Sequence, residues 1–393
     1  MRTKRSLAIL LIFTLLLTGC WDNRELNYLL VVSGIAVDKG ILGNIRLTLT
    51  APVPNGGTGM EIRNTSDRSL VVSEEGEDIT DAYRKISMKL SRQIFLGQLQ
   101  IILIGEELAR DGVAKVLDFF SRHYEAPDKV FILFSKGKAA DLFSAKSQLE
   151  MNIVDEIKKM KELTMGRKMQ LKDFLYMMTE EGVQPIAPII ETVAAERGNP
   201  DSAPRMMSIT SAAIFKKDKL IGFLNSREYR GVLWIQNRIR TGAITVAIPE
   251  EKGGGKVSGQ IIRAKSKVVP KIKGNNVEIQ VNINTLTDIT DSSSKLDFGK
   301  PEAIDLISEL FAKEVKAYAE ASVTAAKKDF NDDIFGFGAA VHGNYPKQWH
   351  KQFKKNWDEN FYKVSVKINS NVKIYEVGFD TKSVTKGEEE FSK

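Results

Sequence analysis

Hydrophobic and polar residues follow two periods along this chain, and the switch between them outlines the elements. Leu29 to Val37 is an almost unbroken apolar run, the pattern of a buried strand. Ile45, Leu47 and Leu49 then alternate with Arg46, Thr48 and Thr50, which predicts a half-exposed strand. Pro52 to Gly59 and the polar residues up to Asp67 predict a hairpin loop, after which Ser69 to Ser73 resumes the strand. Ile79, Tyr83, Ile86 and Leu90 recur at helical spacing, and so do Val113, Val116, Leu117 and Phe120. Gln98 to Ile104 and Lys129 to Phe134 read as strands around that second helix. Helical periodicity dominates from Lys138 to Glu180, with breaks near Ser147 and Gly166, and Pro185 to Ala194 is extended.

The second half reads mainly as strands. Met206 to Phe215 and Leu220 to Leu224 flank a Lys-Lys-Asp-Lys turn, and Glu228 to Arg238 fits a helix. Ala243 to Ile248 and Gly259 to Val269 are strand candidates. Val277, Ile279, Val281 and Ile283 alternate with polar residues, so one face is wet and the other packed. Pro301 opens the longest predicted helix, to about Phe330, with Ile304, Ile307, Phe311, Val315 and Tyr318 as its apolar stripe. Val364, Val366 and Ile368 alternate as a final strand. Strand runs separated by helices, without regular βα alternation, predict an α+β fold of mixed and antiparallel sheets. Gly198 to Pro204 is the strongest linker signal. The expected division is therefore an N-terminal region, residues 20–197, a linker, residues 198–204, and a C-terminal region, residues 205–393.

The start of the chain follows a different pattern. Arg2, Lys4 and Arg5 precede an apolar stretch from Leu7 to Leu17, and Leu17-Thr18-Gly19-Cys20 has the form of a bacterial lipobox. The apolar stretch is shorter than the roughly 20 residues that span a bilayer. Residues 1–19 are thus expected to be a lipoprotein signal peptide. Cys20, the only cysteine among 393 residues, is expected to carry a covalent diacylglycerol on its thiol. Trp21 to Asn27 then reads as a short helix or a tether. Lipid on Cys20 leaves no thiol for a disulfide, a nucleophile or a metal.

Charge adds little. The formal net charge is +7, and removing Arg2, Lys4 and Arg5 leaves 54 basic against 50 acidic residues, about +4. That surplus does not argue for nucleic acid and supports at most a mild attraction to anionic lipid. Candidate chemistry is equally sparse. His123, His342 and His350 have no His or Cys neighbour at metal-ligand spacing. Gly253 to Gly259 lacks phosphate-loop spacing, because Val257 follows Lys256, and it lies between strand candidates as a hairpin turn would. No nucleophile elbow occurs. The distinctive internal patch is Asp333-Ile-Phe-Gly336-Phe337-Gly338, followed by Trp349 and Trp357. It fits either a turn packed beneath the long helix or a docking surface for another protein, since Trp and Phe are common interface anchors.

Cys20-Trp-Asp-Asn-Arg-Glu-Leu-Asn27 resembles the start of the Ger(x)C family, the lipoprotein C subunits of bacterial spore germinant receptors. Those proteins run from a lipobox into a C-W-D-x-R-E-L motif. Asp333, Gly336, Phe337 and Gly338, with Trp349, Trp357 and the last strand, are similar to the family's C-terminal region. The resemblance implies a non-enzymatic, lipid-anchored protein on the outer face of the spore inner membrane. It also implies two integral membrane partners, one channel-like and one transporter-like, and no cofactor beyond the lipid. The rival reading from location and size is a solute-binding lipoprotein of an ABC importer, which would need two lobes of repeated βα units.

Overall fold

The computed structural model describes residues 25–53, 69–127, 129–145, 147, 150–163, 169–194 and 205–378. Cys20, the signal segment, most of the Pro52–Asp67 loop, the Gly198–Pro204 linker and Thr381–Lys393 lie outside the described residues.

An eight-stranded mixed sheet organises the first half. Its order is β10-β9-β8-β7-β6-β2-β3-β4. The strands are β2 (Gly34–Lys39), β3 (Ile45–Pro52), β4 (Ser69–Gly76), β6 (Ile101–Gly105), β7 (Phe131–Ser135), β8 (Ile186–Ala194), β9 (Arg205–Lys216) and β10 (Lys219–Leu224). The apolar run from Leu29 is broken at Val32–Ser33. Its first part, β1 (Leu29–Val31), pairs instead with β5 (Gln93–Phe95) in a two-stranded ribbon.

The four central strands β2, β6, β7 and β8 are parallel, flanked on both sides by antiparallel pairs. This parallel centre is a correction to the expected absence of βα alternation. The connections between β6, β7 and β8 run through helices α2 (Glu106–Asp111), α3 (Ala114–Arg122), α4 (Ala140–Phe143), α5 (Ile153–Leu163) and α6 (Leu171–Thr179). Every residue of β6 and β7 is buried. Ile102 and Ile104 belong to one packed layer, with Ile86 of helix α1 (Ile79–Lys89) and Leu117 of α3. Ile101 and Leu103 belong to the other, with Leu142 and Ile157. Covering both faces is why these strands read as continuous apolar runs. The same burial reaches Thr48 and Thr50 of β3, so that strand is not half-exposed as its alternation suggested.

β8 and β9 pair antiparallel from Ile186↔Ile214 to Ala194↔Arg205. The expected boundary near 198–204 therefore joins neighbouring strands of one sheet. The chain beyond Pro204 first completes that sheet with β9 and β10 before it builds a second one.

The second sheet has the order β11-β12-β13-β14: Ala243–Ala247, Lys256–Lys273, Asn276–Ser292 and Ser365–Ile374. β12 and β13 form a long hairpin, and β14 returns parallel to β13. Helix α7 (Ser226–Ile235) and the long helix α8 (Pro301–Ala325) cover one face. Ile307, Phe311, Val315 and Ala319 of α8 are buried, whereas Ile304 and Tyr318 are half-buried at the margin of the stripe. The predicted end at Phe330 is reached through a π-helical turn, Ala326–Phe330. Gly253 to Gly255 lies in the β11–β12 connection, a turn and not a phosphate loop.

Candidate functional site

Asp333 sits three residues beyond that π-helical turn, where the chain reverses into helix α9 (Phe337–Asn344). Its carboxylate is fully buried. Oδ1 accepts the backbone N–H groups of Phe335 (3.1 Å), Gly336 (3.0 Å) and Phe337 (3.1 Å). Oδ2 accepts Gly338 N–H (2.7 Å) and the indole Nε1–H of Trp357 (3.1 Å). Gly336 makes the turn possible: it holds the left-handed conformation at φ 82°, where a side chain is strained. The first turn of α9 offers its free N–H groups to the carboxylate behind it, as helix N-termini do for anions. Burial pushes the Asp333 carboxyl up to about 6, against the pull of the N–H donors of Gly338, Phe337 and Trp357.

Aromatic rings close over this turn. Phe335 and Phe337 stack at 4.8 Å, Trp349 and Trp357 tilt together at 5.3 Å, and Phe361 lies 6.4 Å from both Phe337 and Trp357. Phe337, Trp349 and Trp357 are all buried. The structure thus brings Asp333, Gly336, Phe337, Gly338, Trp349 and Trp357 into one cluster, in which the Asp333, Phe337, Trp349 and Trp357 side chains are buried.

The cluster also receives a segment of the first half, Glu181–Gln184, from the loop between α6 and β8. Gln184 N–H bonds to Asp333 O at 2.7 Å, and Ala339 N–H to Gly182 O at 3.1 Å. Trp349 Nε1–H donates to Glu181 Oε2 at 3.0 Å, and Lys354 pairs with Glu181 Oε1. The Lys354 ammonium and then the Trp349 indole hold the Glu181 carboxyl below its ordinary range. Gln184 Nε2 donates to Asp358 Oδ2 at 3.2 Å, and its Oε1 accepts Lys217 N–H at 3.1 Å. Gly182 and Gly338 are pressed backbone to backbone. A Cβ at 338 would stand 2.6 Å from Gly182 Cα and 2.7 Å from Trp357 Nε1. The arrangement is a clasp that fastens the β8 side of the first sheet to the turn beneath the second.

Two further buried carboxylates, Asp332 beside the clasp and Asp38 in the first sheet, were not singled out by the sequence. Asp332 is buried, with Lys216 Nζ 3.4 Å from Oδ1 and no hydrogen-bond donor on either oxygen. Burial pushes it up to about 6, with Lys216 pulling down. Asp38, at the end of β2, accepts the N–H groups of Ala139 (2.7 Å) and Ala140 (2.9 Å) at the start of α4. Neither stands out in a chain with 50 acidic residues. Among the described residues no three His, Cys, Asp or Glu side chains converge on a metal-sized site. No helix among them is long and apolar enough to cross a membrane.

The fold and the clasp together define a class: a two-sheet α+β chain in which the last third folds back onto the first sheet. That class has a known family. Residues 22–192 match the profile described as "Spore germination protein N-terminal domain", and residues 210–378 match "Spore germination B3/ GerAC like, C-terminal". The chain belongs to the Ger(x)C family of spore germination proteins. It is 28% identical to Spore germination protein KC of Bacillus subtilis (strain 168) over 371 residues, covering 90% of each chain. It is 22% identical to Spore germination protein B3 of the same organism, covering 96% of this chain and 99% of that one. The solved structure titled "Crystal Structure of the GerBC protein" superposes with a TM-score of 0.57 at 20% identity, over 87% of this chain and 96% of that one, and so shares the fold. These relatives carry the names of germination proteins and not of enzymes. The two sheets here differ in strand number and topology, unlike the paired lobes of a solute-binding lipoprotein.

Proposed function

We propose that this chain is the lipid-anchored, non-catalytic subunit of a nutrient germinant receptor. It is held at the outer face of the spore inner membrane through Cys20 and acts by assembling or signalling with two integral membrane subunits, one channel-like and one transporter-like. The observation that carries the reading is the match along nearly the whole chain to spore germination proteins, in a sequence that opens with a lipobox. A diacylglycerol with a further acyl chain, at about 0.8 kcal/mol per buried CH₂, makes a stable tether. The tether confines the chain to two dimensions, which raises its effective concentration beside integral partners without strong direct contacts. Its domains are large enough to present an interface of about 800 Å² to a partner.

The test is dipicolinic acid release from spores that lack the gene. They fail to respond to the receptor's nutrient and germinate normally when the nutrient receptors are bypassed. Unchanged release to every nutrient, in a strain with no paralogous receptor, defeats the reading. Cys20→Ala is expected to abolish incorporation of radiolabelled palmitate, and label that persists defeats the anchor assignment alone.

A further inference from the structure

One end of the eight-stranded sheet carries a rim of exposed apolar side chains that neither the core nor the clasp uses. Strand register locates that end. Gly34 of β2 is level with Ile101 of β6, and Ile101 with Phe131 of β7. Thr50 of β3 faces Gly34, and Pro52 faces Ser69 of β4. The β1–β5 ribbon sits against the same end: Ser33 N–H bonds to Thr50 O, and Gln100 N–H to Ser33 O.

Leu26 and Tyr28 lie in the turn before β1, Val53 follows β3, Leu70 is the second residue of β4, and Tyr124 leads toward β7. All five are exposed, Tyr124 to 82% and Leu26 to 77%. Two exposed cations and one exposed carboxylate, Glu25, join them. Arg92 is level with Tyr28, because Leu29 pairs with Gln93, and Lys129 precedes β7. Apolar and tyrosine side chains interleaved with basic ones are the composition of a protein surface at a lipid–water boundary.

The covalent chain supplies the second argument. Glu25 lies five residues beyond Cys20. Fully extended, that stretch reaches at most about 18 Å. With lipid on Cys20, Glu25 cannot stand farther than that from the bilayer, and the chain runs from Glu25 through the Leu26–Tyr28 turn and β1 into this end of the sheet. Its lever-like opposite end, the Gly40–Asn44 turn between β2 and β3, is about 25 Å away along the strands.

We propose that this end of the sheet is a membrane-contact face. Leu26, Tyr28, Val53, Leu70 and Tyr124 sit in the headgroup region, and Arg92 and Lys129 lie against anionic headgroups, so that the strands stand toward the bilayer and the Gly40–Asn44 turn points away. The inference rests on the Cys20 lipidation reading and adds an orientation to it.

The test uses the full lipidated chain in phosphatidylcholine–phosphatidylglycerol vesicles that carry a doxyl-labelled lipid. Tyr124→Trp and Ile41→Trp place a reporter at either end, both at exposed positions, and each is read against the parent chain. Expected are a blue shift and a loss of emission for the reporter at 124 and neither for the reporter at 41. Leu26→Ser with Tyr28→Ser is expected to weaken the quenching at 124. Quenching at neither site, or as strong at 41 as at 124, overturns the proposal; the first result is also what a rim reserved for a protein partner would give. Mass spectrometry of the same preparation reports the lipid on Cys20 separately. Coupling the Cys20 thiol to a maleimide phospholipid repeats the quenching test at the same tether point without cellular lipidation, so an unmodified cysteine defeats the anchor reading and leaves the contact face to be decided by the same two reporters.

Discussion

Asp332 and Asp333 are adjacent buried carboxylates with opposite surroundings. Asp333 is met by five N–H donors, whereas Asp332 meets only a lysine at 3.4 Å. Asp333→Asn turns one acceptor oxygen into an NH₂ group that faces N–H donors. Leaving buried donors without an acceptor costs about 1–3 kcal/mol for each neutral group, and more around a charge. Asp333→Asn is therefore expected to lower the urea midpoint sharply or to prevent folding. Asp332→Asn removes a buried charge and orphans no donor, so it is expected to keep or raise the midpoint at pH 7. Asp332 also sets a pH dependence. Its folded carboxyl stands at about 6, above the ordinary 3.8 that the unfolded chain retains. Between these values the folded state binds more protons than the unfolded one, so its contribution is full below about pH 4 and is lost as the pH rises through about 6. Urea midpoints between pH 4 and 7 check this. A smaller slope is expected in Asp332→Asn, and an identical slope in that variant counts against the assignment.

β8 and β9 carry the consequence at the level of elements. They are joined through residues 195–204, and they pair along most of β8. Nicking the chain at a protease site inserted within Gly198–Pro204 is therefore expected to leave both pieces in one particle. Gel filtration should show a single species in buffer and two in urea, and separation in buffer would mean that the ladder and the clasp do not hold. Helix α8 shows the same dependence on context. Its stripe was legible because Ile307, Phe311 and Val315 repeat at helical spacing, but only packing against the second sheet decides that Ala319 is buried and Tyr318 marginal.

Across the whole molecule, the clasp makes the two sheets a mechanical unit. The backbone of Gly182 touches that of Gly338, and a methyl at either position has nowhere to go. Gly338→Ala forces that contact apart, with an overpacking cost of about 1–3 kcal/mol. Calorimetry is expected to show one cooperative transition for the parent chain and a lower, broadened or split transition for the variant. An unchanged single transition would mean that the clasp does not couple the two halves. Two halves fastened together in this way transmit a push at one face to the other without relative sliding.

Local patterns sufficed for much of this. Most strands and the long helix are written in neighbouring residues, because periodicity acts over a few positions. The Asp333 turn was visible as an unusual string of glycines and phenylalanines, yet its choice between packed turn and surface was not. That choice depends on what lies opposite, and the partner segment Glu181–Gln184 is about 150 residues away in a stretch that reads as an ordinary polar turn. The parallel order of β2, β6, β7 and β8 was hidden for the same reason. An apolar run states that a strand is covered on both faces, but which strand it pairs with, and in which direction, is set by the path of the helices between them. The placement of Gly198–Pro204 between paired strands likewise follows from tertiary contacts: composition marks a flexible link, and only the ladder on either side says that one sheet continues across it.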